Sequence, residues 1–202
     1  WQGIPASLDM APYVWMIDDR LENQPTEHIE ASAHRRQNGS GFWRAGGIAP
    51  DLQIADILPR TIETACDWID EHAGKDEPFF LYVPLSAPHT PWLPTAEARG
   101  TTEVGWYGDF MVDVDRGVGR INAALQRAGM ADDTIFIITS DNGGPSAKTI
   151  SGAAANNWPL RGGKHTAWDG GHRVLAFVNG GLLPDAARGR KLDGYIASAD
   201  WY

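Results

Sequence analysis

Thr134-Ile-Phe-Ile-Ile-Thr-Ser-Asp-Asn-Gly-Gly144 is the stretch on which the reading of the fold turns. Ile135, Phe136, Ile137 and Ile138 form a short apolar run of a kind that suits a strand buried on both faces, as in a parallel sheet. The run stops at Ser140-Asp141-Asn142, and two glycines follow. In open α/β sheets, ligands bind beyond the carboxyl ends of strands. Asp141 and Asn142 both offer hard oxygen atoms, which suit Ca²⁺ or Mg²⁺. Gly143 and Gly144 allow a sharp turn and leave room for a ligand. The same residue types also build an ordinary turn, so the stretch alone supports both readings.

Upstream, 105–128 reads as a helix, with Met111, Val114, Val118, Ile121 and Leu125 on one face. Asp109, Asp113 and Asp115 are expected on its solvated side, and Gly129 ends it. Further back, Phe79-Phe-Leu-Tyr-Val-Pro-Leu85 reads as a strand. It runs into Ser86-Ala-Pro-His-Thr-Pro-Trp-Leu-Pro94, whose three prolines stiffen the exit and hold His89 there. A histidine in that place can donate a proton, bind an anion or simply pin the loop. Residues 58–73 read as another helix, with Ile62, Ala65, Cys66 and Ile69 in one stripe and Gly74 as its stop. The order is helix, strand, helix, strand. That alternation predicts an α/β fold with a mainly parallel sheet flanked by helices.

The first 58 residues are irregular. Tyr13-Val-Trp-Met-Ile17 reads as a strand, with Asp18-Asp19 as a solvated turn rather than a metal pair. Residues 27–47 read as a surface excursion; they contain the sequon Asn38-Gly39-Ser40 and the surface histidines His28 and His34. Beyond Asn142 the chain is rich in Gly, Ala and Asn. Arg161, Lys164, His165, His172 and Arg173 concentrate positive charge there among glycines. Lysine is a compact point charge that suits a tetrahedral oxyanion. The spacing of His165 and His172 does not make a zinc site. Residues 173–178 read as a strand, and 196–202 as the start of a helix.

The chain has 202 residues, enough for one core-forming domain or part of a larger one. A hydrophobic content of 43% argues against disorder. A net charge of -9 argues against nonspecific binding to nucleic acid or an anionic membrane, while still allowing a locally positive site. The nine tryptophans are expected mainly to pack loops onto the core. Cys66 is the only cysteine, so no intrachain disulfide forms; its place on the helix stripe predicts a buried structural thiol. No apolar run is long enough to span a membrane. With Trp1 at one end and Tyr202 at the other, both ends read as cut. The expectation is one domain over 1–202, the central part of a longer catalytic domain.

Several motifs together resemble the sulfatase family, within the alkaline-phosphatase-like superfamily. They are Phe79-Phe-Leu-Tyr-Val-Pro-Leu85 with Ala87-Pro-His-Thr-Pro-Trp92, Tyr107-Gly-Asp-Phe110, Thr139-Ser-Asp-Asn-Gly-Gly144, Trp158-Pro-Leu-Arg-Gly-Gly-Lys164 and Trp168-Asp-Gly-Gly-His-Arg-Val174. Their order is the family's, and Ala6-Ser-Leu-Asp-Met10 and 42–59 also look like the middle of such a protein. The resemblance is especially to arylsulfatase-like bacterial members. It implies an alkaline-phosphatase-like fold, incomplete here at both ends.

By that resemblance Asp141 and Asn142 are the second pair of ligands to an active-site cation, usually Ca²⁺. Lys164 contacts the sulfate, and His89 lies near the sulfate and the leaving oxygen. The implied activity is hydrolysis of a sulfate ester by a formylglycine nucleophile made from a Cys/Ser-x-Pro/Ala-x-Arg motif. No such motif occurs in these residues, and Cys66 does not fit it. The first pair of metal aspartates is also missing, and Asp18-Asp19 comes too late to replace it. Asp169 departs from the family's usual Glu, and His165 from a small residue. A phosphoester or phosphonate hydrolase of the same superfamily is an alternative, as is a truncated binding module without catalysis. The family's habit implies a periplasmic or secreted location. His89, Asp141, Asn142 and Lys164 are expected to share one cleft at the carboxyl edge of the sheet.

Overall fold

A computed structural model describes residues 1–32, 42–145 and 155–201. Two helices build the core: α1, Ile57–Glu71, and α2, Gly105–Arg127. The predicted stripe of α1 is buried in full, and Ile57 and Leu58 extend it. Pro59 sits in the first turn, where a missing N–H costs nothing. Gly74 and Gly129 follow the two helices with φ of 74° and 71°, the left-handed turn that stops a helix most easily on glycine. Each fully buried Leu or Ile on these faces contributes about 1.5–3 kcal/mol. Burial also pushes the Cys66 thiol up, as expected for an inert core cysteine.

The buried face of α2 is rotated from the predicted one. Phe110, Gly117, Ile121, Ala124 and Leu125 are buried, whereas Met111 is exposed. The acids correct the expectation more sharply. Only Asp115 faces solvent. Asp113 accepts hydrogen bonds from the Thr95 N–H and hydroxyl, both at 2.7 Å. Asp109 is 1% exposed and accepts from Gly100 N at 2.8 Å, Thr102 N at 2.9 Å and Thr102 Oγ1 at 2.8 Å. These carboxylates anchor the 95–102 loop to α2, which is how a helix carries a buried acid without an unpaired charge.

The strands are short. β1 (Gln2–Gly3), β2 (Met16–Ile17) and β3 (Arg20–Leu21) form one antiparallel sheet. Asp18-Asp19 is the turn between β2 and β3, as the sequence predicted. β4 (Glu27–Ile29) pairs with β5 (Gly46–Ile48). His28 is exposed beside Glu30, while His34 and the sequon lie outside the described residues. β6 (Phe136–Thr139) pairs with β7 (Ala176–Asn179) from Phe136↔Asn179 to Thr139↔Ala176. A 3-10 turn, Ser198–Trp201, ends the described chain in place of the expected helix.

The fold is α/β, but the expected parallel pairing is not found. Among the described residues every strand ladder is antiparallel, and the one parallel contact is an isolated bridge between Tyr13 and Ile48. A parallel pair needs a crossover long enough to return the chain to the same end, usually a helix. In the described residues between β6 and β7 the only helix is α3, Asp169–His172, a single turn; the chain doubles back and pairs antiparallel. Residues 79–85 join no ladder among the described residues. They keep a strand's two faces: Phe80 and Tyr82 are exposed, and Leu81, Val83 and Leu85 pack on the core. β6 is also half-buried, on one side only, with Ile137 exposed.

The Gly100 N–H, first among its donors, holds the Asp109 carboxyl below the usual carboxylate range, and the Thr102 donors add to this. A depressed folded-state pKa stabilises above the unfolded value and loses that stabilisation as pH falls through the folded one. Asp109→Asn is therefore expected to be less stable at neutral pH. The gap to the native chain should shrink below about pH 4. Urea midpoints measured across that range check this; a gap that does not change with pH contradicts it.

Candidate functional site

Asp141 and Asn142 leave β6 where its ladder with β7 ends. The Ser140 hydroxyl donates to the Asn142 carbonyl at 3.0 Å and tightens this turn. The Asn142 amide nitrogen donates to Gly143 O at 3.1 Å. Its amide oxygen and the Asp141 carboxylate make no hydrogen bond or ion pair among the described residues. That leaves two adjacent hard oxygen donors at a strand exit, with Asp141 exposed. The chemistry fits part of a Ca²⁺ or Mg²⁺ shell, since such ions take six or more oxygens. It is not a complete shell: among the described residues no three His, Cys, Asp or Glu side chains converge to hold an ion.

The next two residues dock onto the glycine-rich loop far along the chain. Gly143 N donates to Gly171 O at 3.0 Å, and Lys164 N donates to Gly144 O at 3.1 Å. Asn157 clamps the same junction. Its Oδ1 accepts from Gly144 N at 3.0 Å, and its Nδ2 donates to Gly144 O at 2.7 Å and Gly162 O at 3.2 Å. Within the loop, Gly170 N donates to Arg161 O at 2.8 Å, and the Thr166 hydroxyl donates to Gly163 O at 2.7 Å. A side chain on Gly143 would run into the Gly170 carbonyl, and one on Gly171 into that of Thr166. Glycine is needed here because two backbones touch.

The cations of this loop separate by their partners. The Arg161 guanidinium stacks on the Trp168 ring at 3.6 Å. Arg173 lies 3.9 Å from Asp169. Lys164 has no ion-pair partner among the described residues and is half-buried. His165 is exposed and takes a left-handed backbone, φ 71°, a conformation rare for residues with a side chain.

His89 is set by a different part of the fold. Trp92, 2% exposed, closes its loop by donating from Nε1 to Pro88 O at 3.2 Å, and packs edge-on against Tyr107. The His89 Nδ1 lies 2.8 Å from Thr90 O. A carbonyl only accepts, so Nδ1 carries the hydrogen and Nε2 is left to exchange a proton with a ligand. The structure thus joins Asp141, Asn142 and Lys164 through backbone contacts between their loops. No hydrogen bond or ion pair among the described residues links His89 to that group. Sequence reasoning missed Asn157, whose only signal was its place beside Trp158-Pro159, and also missed Asp9, discussed below. A polar hollow of about 180 Å³, lined by Asn122, Thr134, Asn179 and Arg188 among others, lies at the opposite end of β6 and β7. His89, Asp141, Asn142 and Lys164 are not part of its lining.

The Sulfatase family model matches residues 55–202, so this chain belongs to the sulfatase family. Over 126 residues it is 35% identical to N-acetylgalactosamine-6-sulfatase of Rattus norvegicus, covering 61% of this chain and 24% of that protein. It is similar to the PsFucS1 sulfatase structure from Pseudoalteromonas sp., with a TM-score of 0.57, 30% identity, and coverage of 62% of this chain and 25% of that one. A Bacteroides thetaiotaomicron structure solved in work on glycosaminoglycan metabolism superposes over 88% of this chain and 44% of its own, with a TM-score of 0.70 at 24% identity. This last likeness is one of fold, the alkaline-phosphatase-like α/β fold. The chain spans about a quarter of the length of the curated relatives it matches.

Gly143→Ala should break the docking of the two loops, because the new methyl meets a carbonyl that cannot move aside cheaply. A cost of roughly 1–3 kcal/mol or more is expected. Amide exchange should rise at Gly143, Lys164 and Gly171 more than in α1; uniform protection across the chain would contradict the contact described.

Proposed function

We propose that the whole protein is a sulfuric ester hydrolase and that this chain carries part of its active site. The reading rests on one observation above the others: the loop bearing Asp141 and Asn142 is bonded through its backbone to the loop bearing Lys164. Family membership supports the same reaction class.

In this reading Asp141 and Asn142 offer their oxygens to Ca²⁺, which when bound supplies positive charge against the sulfate oxygens. Lys164, a cation with no ion-pair partner among the described residues, neutralises charge on the sulfuryl group as the ester bond breaks. His89 offers the proton of its charged form from Nε2 to the leaving oxygen, while Nδ1 stays bonded to Thr90 O. The nucleophile, a formylglycine by family resemblance, belongs to residues outside these 202, since the motif that forms it is absent from them. Residues 1–202 then form the central part of one catalytic domain, and the substrate is a sulfate ester. An exported location, periplasmic or extracellular, goes with this reading. No helix among the described residues is long and apolar enough to cross a membrane.

The test is turnover of an aryl sulfate by the whole protein. Lys164→Ala and Asp141→Ala are each expected to lower kcat by about 10²–10³, and Asp141→Ala should also raise the Ca²⁺ concentration needed. The 202-residue chain alone should show no turnover. Faster hydrolysis of the matching phosphate ester would assign the protein to phosphoester chemistry instead, and unchanged kcat in both variants would remove these residues from the site.

A further inference from the structure

The nitrogen of His89 that faces the protein is surrounded by oxygens, and two of them come from the first ten residues. Besides Thr90 O, the Ser7 hydroxyl lies 3.4 Å from Nδ1 and an Asp9 carboxylate oxygen lies 3.9 Å from it. Asp9 is an unusual residue to bury, with a side chain only 5% exposed. Its other oxygen takes the Arg44 guanidinium at 3.0 Å, so the buried charge is paired. Arg44 is itself held: its N–H donates to the Asp9 carbonyl at 3.0 Å, and its carbonyl accepts from the Tyr13 hydroxyl at 2.8 Å. Nearby, Phe42 N donates to Thr90 Oγ1 at 3.0 Å, which ties the same segment to the residue after His89. Ser7, Asp9 and Arg44 all lie outside the stretch that the family model matches, 55–202.

We propose that Asp9, clamped by Arg44, is a positioning residue for His89. A carboxylate can only accept, as can the Thr90 carbonyl. Facing both, Nδ1 is kept protonated, and a lone pair there would meet lone pairs. The ring is held in one tautomer, with the hydrogen on Nδ1 and the lone pair on Nε2. Ser7 adapts, because a hydroxyl can donate or accept. The arrangement follows the general rule that one ring nitrogen's partner sets the role of the other. This inference rests on the reading of His89 as the proton donor, but its first readout does not.

The experiment is on the intact protein labelled with ¹⁵N-histidine. Long-range ¹H–¹⁵N spectra report which His89 nitrogen carries hydrogen, and His89→Gln assigns the signals. The native protein should show one neutral tautomer, protonated at Nδ1. Asp9→Asn puts a possible donor where only an acceptor stood, so a second population protonated at Nε2 should appear. On an alkyl sulfate, whose leaving oxygen needs a proton, kcat should fall roughly tenfold, a fraction of what a general acid contributes. On 4-nitrophenyl sulfate, whose leaving group needs little help, kcat should change far less, and Asp9→Glu should restore part of the loss. If Asp9→Asn does not fold, Arg44→Gln releases the same carboxylate from its half-exposed side and should move the same signals. An unchanged His89 spectrum, or equal losses on both esters, overturns the positioning role. A changed spectrum in a protein whose native form cleaves no sulfate ester keeps that role and overturns the sulfatase reading.

Discussion

Two stretches of backbone that pack without side chains between them govern this structure. Gly143 N donates to Gly171 O and Lys164 N donates to Gly144 O, and a Cβ on Gly143 would strike the Gly170 carbonyl. Asn157 satisfies the groups that this contact leaves over. The consequence is chemical as well as architectural. A strand exit carrying an acid and an amide is joined to a loop carrying a cation, and no ion pair links Asp141 to Lys164 among the described residues. In the proposed reading, a direct pair between Asp141 and Lys164 would make each less available to a ligand. Fixing their loops through the backbone leaves both side chains without an ion-pair partner among the described residues.

The rest of the fold holds that junction and the histidine in place. α1 and α2 bury their apolar faces against each other, and Gly117 lets them approach: a side chain there would come within 2.8 Å of Ile62. From α2, Asp109 and Asp113 reach back to hold the 95–102 loop, which follows the proline-rich segment bearing His89. The buried Trp92 closes that segment on itself. Three carboxylates thus work as structural acceptors: Asp9, Asp109 and Asp113. In each case the hydrogen bonds or the ion pair supply what burial took away.

Some of this was legible in residue order and some was not. Both long helices follow from apolar spacing and glycine stops, and their bounds agree within a few residues. The place of Asp141 and Asn142 just past a strand follows from an apolar run that ends abruptly. The role of Asp109 did not follow: periodicity ranks an acid on a helix as solvent-facing, and it cannot register donors in a loop seven to nine residues away. Asp9, between Leu8 and Met10, carries no local signal of its partners Arg44 and His89. Parallel pairing was inferred from helix–strand alternation, yet β6 and β7 run antiparallel because no long crossover helix separates them in the described residues.

By itself, then, the order of residues determined the helices, the family and the types of side chain available for chemistry. These depend on local spacing and on short motifs, which a linear string records completely. Tertiary structure alone decided which loops touch, which nitrogen of His89 keeps its hydrogen, and which acids are spent on hydrogen bonds rather than left for a ligand. Those outcomes depend on distances of about 3 Å between groups tens of residues apart, within the range at which hydrogen bonds form. Only a folded backbone brings such groups together.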